Sequence, residues 1–234
     1  MIRVQCFIAI MLSCLGLALG IGAENRAAAK GRAGTFLITT STNSLGSGWV
    51  LSPDGLAVTA AHVVGGAQTF HATFADGDIR DGVVVAMDRA TDLALLRIDP
   101  EPVLHLLHLA KTASTETRVI AIGAPGGRLG RVTKGRTQSI IARPTDQISV
   151  GLIQHTAPLA QGSSGGPLLN GQGEVVGVNI GILTRDDRQG SNPSPISYSV
   201  PIDQVRQAIQ RMQASERRSP TPLPWAQREK SAQG

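Results

Sequence analysis

The chain has 234 residues, 41% hydrophobic and 17% charged, a balance that belongs to a globular protein and excludes a disordered one. That length holds one domain or two small ones. A formal net charge of +5 would suit nucleic acid or an anionic surface, yet the aromatics are only two Trp, one Tyr and four Phe, and no basic run is interleaved with them. Nucleic-acid binding is therefore not expected.

In chain order, Met1-Ile2-Arg3 opens a nearly uncharged apolar run to about Ile21, and small residues precede Glu24-Asn25-Arg26. This is the layout of a secretory signal peptide over residues 1–23. A retained anchor, with transient membrane association through an uncleaved leader, and lipidation at Cys14 are the alternatives. Both cysteines, Cys6 and Cys14, fall inside this segment, so the mature chain is expected to hold no disulfide and to rely on its core. A periplasmic or secreted bacterial envelope protein fits that usage best.

From Thr35 the pattern is strand, turn, strand. Thr35–Thr40, 46–51 and Leu56–Ala60 read as strands, the last two joined by Ser52-Pro53-Asp54-Gly55. Val83–Met87 and Leu93–Ile98 follow. A polar break lies at Ala110–Glu116, and then come 119–122, 137–142, 148–154, 166–169 and 175–182. Short strands at this spacing argue a barrel or sandwich, and the break near residue 113 divides it into two β modules. Val205, Ala208, Ile209 and Met212 repeat at helical spacing after Pro201, predicting a helix over 202–213. The proline-rich stretch from 214 to 234 reads as a disordered tail.

The run Gly162-Ser163-Ser164-Gly165-Gly166 could be a plain Gly-Ser turn or a loop that presents a nucleophile. A nucleophilic serine needs a base, an orienting group and backbone N–H donors for an oxyanion. Five histidines are available as base. His105 and His108 sit among leucines and read as partly buried, without a third ligand for a metal; His71 reads as solvated, and His155 as opening the loop before Ser164. His62, in Val58-Thr59-Ala60-Ala61-His62-Val63-Val64, ends a strand where small residues allow a tight turn. The orienting carboxylate is Asp88 or Asp92. Asp92 directly precedes an apolar strand and should be partly buried, whereas Asp88 reads as a solvated turn residue.

Three blocks, GSGWVLSPDGLAVTAAHVV, DRATDLALLRI and GSSGGPLLNGQGEVVGVNIGI, occur in the order His, Asp, Ser. Together they resemble the HtrA/Deg branch of the chymotrypsin-like serine proteases, and SYSVPIDQVRQAIQRM resembles the strand and helix that close that protease domain. The resemblance implies an all-β fold, a chymotrypsin-like double β-barrel with a C-terminal helix. Its protease domain would span 24–213, with barrel one at about 33–112 and barrel two at about 113–201. It implies a serine endopeptidase acting on unfolded envelope polypeptides with no cofactor or metal. His62 would be general base, Asp92 its orienter and Ser164 the nucleophile. Gly162, Ser163 and Ser164 would form the oxyanion hole, with N–H groups from Gly162 and Ser164. The alternative is a catalytically silent relative that binds peptides or a partner.

The sequence departs from that pattern at Ser163, where the family usually has Asn or Asp; without a carboxylate there, amine-to-carboxylate activation is excluded and the resting order of the oxyanion hole is open. Too few residues follow the terminal helix for the PDZ module common in the family, and the segment before Thr35 is short for the loop through which some relatives form trimers. Pro158, Ile180, Gly181 and Ile182 are expected to wall a small apolar substrate pocket. Residues 154–164 contain no Asp or Glu, so a buried Arg or Lys would find no counter-charge there.

Overall fold

A computed structural model describes residues 22–100, 103–141, 150–183 and 196–225. Within it a helix α1 (residues 22–33) precedes β1 (Thr35–Thr40), β2 (Leu45–Val50), β3 (Leu56–Ala60), a one-turn helix α2 (Ala61–Val64), β4 (Thr69–Phe74), β5 (Ile79–Asp88) and β6 (Leu93–Ile98). The second half runs β7 (Arg118–Gly123), a 3-10 turn at Pro125–Gly127, β8 (Arg131–Ile141), β9 (Leu152–His155), β10 (Pro167–Leu169), β11 (Val175–Leu183), β12 (Ile196–Pro201) and α3 (Ile202–Arg218). The strands close into two six-stranded barrels, ordered β1-β2-β3-β6-β5-β4 and β10-β11-β12-β9-β8-β7. The all-β double barrel with a C-terminal helix is therefore the fold of this chain.

The strand alternation explains how two barrels share one body. In β6, Ala94, Leu96 and Ile98 fill barrel one beside Phe36, Phe70 and Phe74, while Leu93 and Leu95 face a core shared between barrels. Successive side chains of a strand point to opposite faces, so a strand covered on both sides becomes a continuous apolar run such as Leu-Ala-Leu-Leu. Trp49, Val58, Ile120, Ile122, Val178 and Val200 occupy the same shared core. Helix α3 closes it with Val205, Ala208, Ile209 and Met212. Each fully buried Val, Ile or Met side chain contributes about 1.5–3 kcal/mol.

Three features differ from the sequence reading. Helix α3 continues to Arg218, five residues beyond the expected 213, because its last turns have polar partners on barrel one: Glu216 accepts from Arg97 Nε at 2.8 Å, and Arg211 reaches Asp88 Oδ2 through Nε at 3.0 Å. The tail then folds back, burying Trp225 and setting Pro224 beside Thr39, Thr40 and His71, while residues 226–234 lie outside the described residues. Finally, the segment before Thr35 forms the helix α1, an element the sequence reading did not assign. Ala27 is buried in the shared core, and Glu24 pairs with both Arg118 and Lys134 at 3.0 Å, which holds its carboxyl below the usual carboxylate range. Of the leader reading over residues 1–23, residues 1–21 lie outside the described residues, and residues 22 and 23 begin α1. No helix among the described residues is long and apolar enough to cross a membrane.

Candidate active site

Barrel one supplies the imidazole and the carboxylate. β3 ends at Ala60, α2 turns at once, and Gly65 terminates it by donating to Ala61 O at 2.9 Å. His62 thus stands on a tight turn with its side chain 47% exposed. The segment between β5 and β6 brings Asp92 to it: Asp92 O accepts from Ala61 N at 2.9 Å, and the Asp92 side chain is 17% exposed. Asp92 Oδ2 lies 2.6 Å from His62 Nδ1, and Oδ1 accepts the His62 backbone N–H at 2.9 Å. Asp92 has a φ of +54°, a conformation that L residues other than Asn and Asp seldom adopt. The carboxylate must therefore sit where the turn puts it, and the pair of bonds to His62 holds it there.

A carboxylate only accepts, so the Nδ1 that faces it carries the proton. In the neutral ring that tautomer leaves Nε2 as the acceptor, which is the form a general base must have.

Asp88 is not the solvated turn residue expected from sequence. Its side chain is 12% exposed, its Oδ1 accepts Ala90 N at 3.2 Å and its carbonyl accepts Thr91 N at 3.3 Å, so it shapes the turn that presents Asp92. His105 and His108 are exposed rather than partly buried, because Leu104, Leu107 and Ala110 turn inward from the same connecting segment. His71 is exposed, 3.2 Å from Asp81. His155 closes β9 instead of opening a loop, is fully buried, and bonds Ser199 Oγ through Nε2 at 3.0 Å. Burial lowers its pKa to about 4.

Barrel two supplies the serine. Ser164 Oγ donates to Ile180 O at 3.3 Å, and Ser164 O accepts the N–H of Ser47 from barrel one at 2.8 Å. Gly162 and Gly165 take φ values of +98° and +83°. A Cβ at Gly165 would lie 2.2 Å from both Ser47 O and Thr59 Oγ1, so the chain passes where only glycine fits.

The loop's peptide planes are each held by their carbonyls. Gln161 O accepts Gly126 N at 3.1 Å, and Ser163 O accepts Gly166 N at 3.2 Å. In a trans peptide the N–H points opposite its carbonyl. The N–H groups of Gly162 and Ser164 are thereby turned away from those partners, and neither donates a hydrogen bond among the described residues. Ser163 takes over part of the turn itself, donating its N–H to Ala160 O at 2.8 Å while its Oγ accepts Ala160 N at 3.3 Å.

The four residues expected to wall a substrate pocket are not gathered in one described cavity. Pro158 is exposed and lines, with Leu159, Ala160 and Ser163, a cavity of about 510 Å³ that Ile122, Gly123, Pro125 and Gly126 also line. Ile180 is partly buried against both cores and touches Ser164 through its carbonyl; Gly181 follows it in β11. The side chain of Ile182 lies outside the described residues.

A family described as the trypsin-like peptidase domain matches residues 46–178, a span that runs from Gly46 through His62, Asp92 and Ser164 to Val178. The chain belongs to this family. Among curated relatives of this peptidase domain, the putative serine protease HhoB of Synechocystis is 37% identical over 175 residues, 71% of this chain and 40% of that protein. A probable periplasmic serine endoprotease, DegP-like, of Pseudomonas savastanoi is 35% identical over 179 residues, 74% of this chain and 36% of its own length. The chain thus spans less than half the length of the curated relatives it matches. Among solved structures, the HtrA-type protease AlgW with tripeptide superposes with a TM-score of 0.70 at 27% identity, covering 82% of this chain and 62% of that one. The serine endoprotease from Yersinia pestis gives 0.67 at 28%, covering 81% and 66%. The resemblance read from the three sequence blocks is to the same group.

Proposed function

We propose that this peptidase domain is an envelope serine endopeptidase that hydrolyses peptide bonds through an acyl-enzyme, with His62, Asp92 and Ser164 as its triad. The observation that carries the reading is the doubly bonded His62–Asp92 pair, which fixes the ring through Nδ1 and leaves Nε2 of the neutral imidazole to accept a proton. Ser164 Oγ swings from Ile180 O toward the substrate carbonyl, and His62 Nε2 takes its proton. The tetrahedral oxyanion is met by the N–H groups of Gly162 and Ser164. The imidazolium, held by Asp92, returns the proton to the departing amine, and water repeats the sequence to release the acyl group. The envelope location is supported by the DegP-like relatives whose names describe them as periplasmic. Substrates are unfolded polypeptides cut after small apolar residues such as Val or Ala, because residues 154–164 offer no carboxylate to a basic side chain and Ile180 flanks the serine.

The test is labelling with a fluorophosphonate probe, which reacts with an activated serine. The parent should label and Ser164→Ala should not. Labelling that survives in Ser164→Ala but vanishes in Ser163→Ala would assign the other serine. The Ser164–Ile180 contact favours a second reading, a silent peptide-binding relative; a folded parent that takes no label would establish that one instead. Cleavage dominated by Arg or Lys before the cut would overturn the specificity.

A further inference from the structure

We infer that Ser47 is the positioning residue that fixes the oxyanion loop from the opposite barrel, an assignment that rests on the reading of Ser164 as nucleophile. Ser47 lies in β2, is fully buried and is neither acid nor base. Its hydroxyl does two things at once. It donates to Gly162 O at 2.7 Å and accepts Ala124 N at 2.9 Å. Its backbone N–H donates to Ser164 O at 2.8 Å, and its own carbonyl is held by Thr59 Oγ1 at 2.7 Å. Three of these four bonds cross from barrel one to the serine loop or to the turn behind it.

The hydroxyl matters because of what it separates. Ala124 N and Gly162 O also face each other directly at 3.4 Å, a long contact. Ser47 Oγ satisfies each at normal length and so holds them apart. Both groups are buried, and a buried N–H or carbonyl left without a partner is strongly unfavourable. With the hydroxyl removed, the two close on each other, and the Gly162–Ser163 peptide turns to allow it. The flanking peptides, whose N–H groups would meet the oxyanion, tilt with it. Ser163 carries no carboxylate to resist this, and among the described residues its hydroxyl reaches Ala160 N at 3.3 Å. The anchor that the loop lacks at position 163 is thus supplied by Ser47 across the barrel boundary.

Amide hydrogen exchange on the parent, Ser47→Ala and Ser47→Cys tests this without depending on turnover. The thiol nearly keeps the volume but bonds weakly. Exchange at Ser163, Gly165 and Gly166 should quicken at least about tenfold in both variants, while amides in β3 and β11 stay within about twofold. Unchanged loop amides in Ser47→Ala would overturn the inference. So would parent-like behaviour of Ser47→Cys, which would make volume rather than bonding the cause, and so would quickening spread evenly over both barrels. In peptide hydrolysis, kcat should fall about 10- to 100-fold with KM within about twofold, since the oxyanion forms only in the transition state. A parent that fails to label at Ser164 sinks the protease reading and leaves the exchange result to decide the role of Ser47.

Discussion

His62 and Asp92 are joined twice, ring Nδ1 to Oδ2 at 2.6 Å and backbone N–H to Oδ1 at 2.9 Å. Both bonds need an acceptor on the carboxylate, and only one of them can adapt. In Asp92→Asn the amide oxygen must stay with the backbone N–H, which leaves the NH₂ group facing Nδ1. The ring then places its proton on Nε2 and can no longer accept one from serine. The expected result is a loss in kcat of about 10⁴-fold with the fold retained. Initial-rate kinetics and the nitrogen chemical shifts of the ring measure it; a loss under tenfold contradicts the assigned roles.

Gly165→Ala should be among the most damaging single-methyl changes in the protein. Its φ of +83° disfavours a side chain, and the added Cβ meets Ser47 O and Thr59 Oγ1 at 2.2 Å. A destabilisation of about 3 kcal/mol or more is expected from strain and overpacking together. Gly171→Ala, where the new Cβ meets nothing within 4 Å, is the control and should change stability by under about 0.5 kcal/mol. Denaturant unfolding of the two variants makes the comparison, and similar losses in both would refute the argument.

Stability should fall with acid through His155. Its pKa is about 4 in the folded state, against about 6.5 unfolded, so between these values the unfolded chain binds the extra proton. Stability contributed by the neutral buried ring is therefore present above about pH 6.5 and lost as pH drops toward 4, by roughly 3 kcal/mol at most. His155→Gln removes the titration and should flatten that part of the curve relative to the parent. Parallel curves from urea titrations at pH 7, 5.5 and 4.5 would mean that the ring is charged in the folded state.

The ion pairs of α3 should separate by exposure. Arg211 is 53% exposed, and Arg211→Ala should cost under about 1 kcal/mol, an amount that shrinks with salt. Glu216 and Arg97 are 16% and 20% exposed, so Glu216→Ala should cost more, about 1–2 kcal/mol, and depend less on salt. Thermal melts at low and high ionic strength give the order; the reverse ranking would refute it.

Strands with alternating or wholly apolar character were legible from sequence alone. Thr35–Thr40, Leu56–Ala60 and Leu93–Ile98 have the expected limits, because turn chemistry at Pro53-Asp54-Gly55 and burial on both faces write themselves into residue type. For the partner of His62 the residues left Asp88 and Asp92 open, the apolar strand after Asp92 favouring it, and the family resemblance implied the His62–Asp92 pair. Other features left weaker marks. The helix α1 hides in an Ala-rich stretch beside an apolar run of sequence, and its anchoring through Glu24 depends on Arg118 and Lys134, about a hundred residues away. Asp88 read as solvated because its partner Arg211 is supplied by a distant helix. Ser47 carries no charge and no titration, and its role exists only once β2 of one barrel meets Ala124 and Gly162 of the other.

Helix α3 packs on β5 and β6 of the first barrel and on β11 and β12 of the second, while His62 and Asp92 come from one barrel and Ser164 from the other. It is also the last of these elements to leave the ribosome. Each barrel can close as its own strands emerge, but the apolar strip they share stays uncovered until Val205, Ile209 and Met212 have been synthesised. The strip shared by the two barrels that carry His62, Asp92 and Ser164 is therefore covered only once that helix has been made.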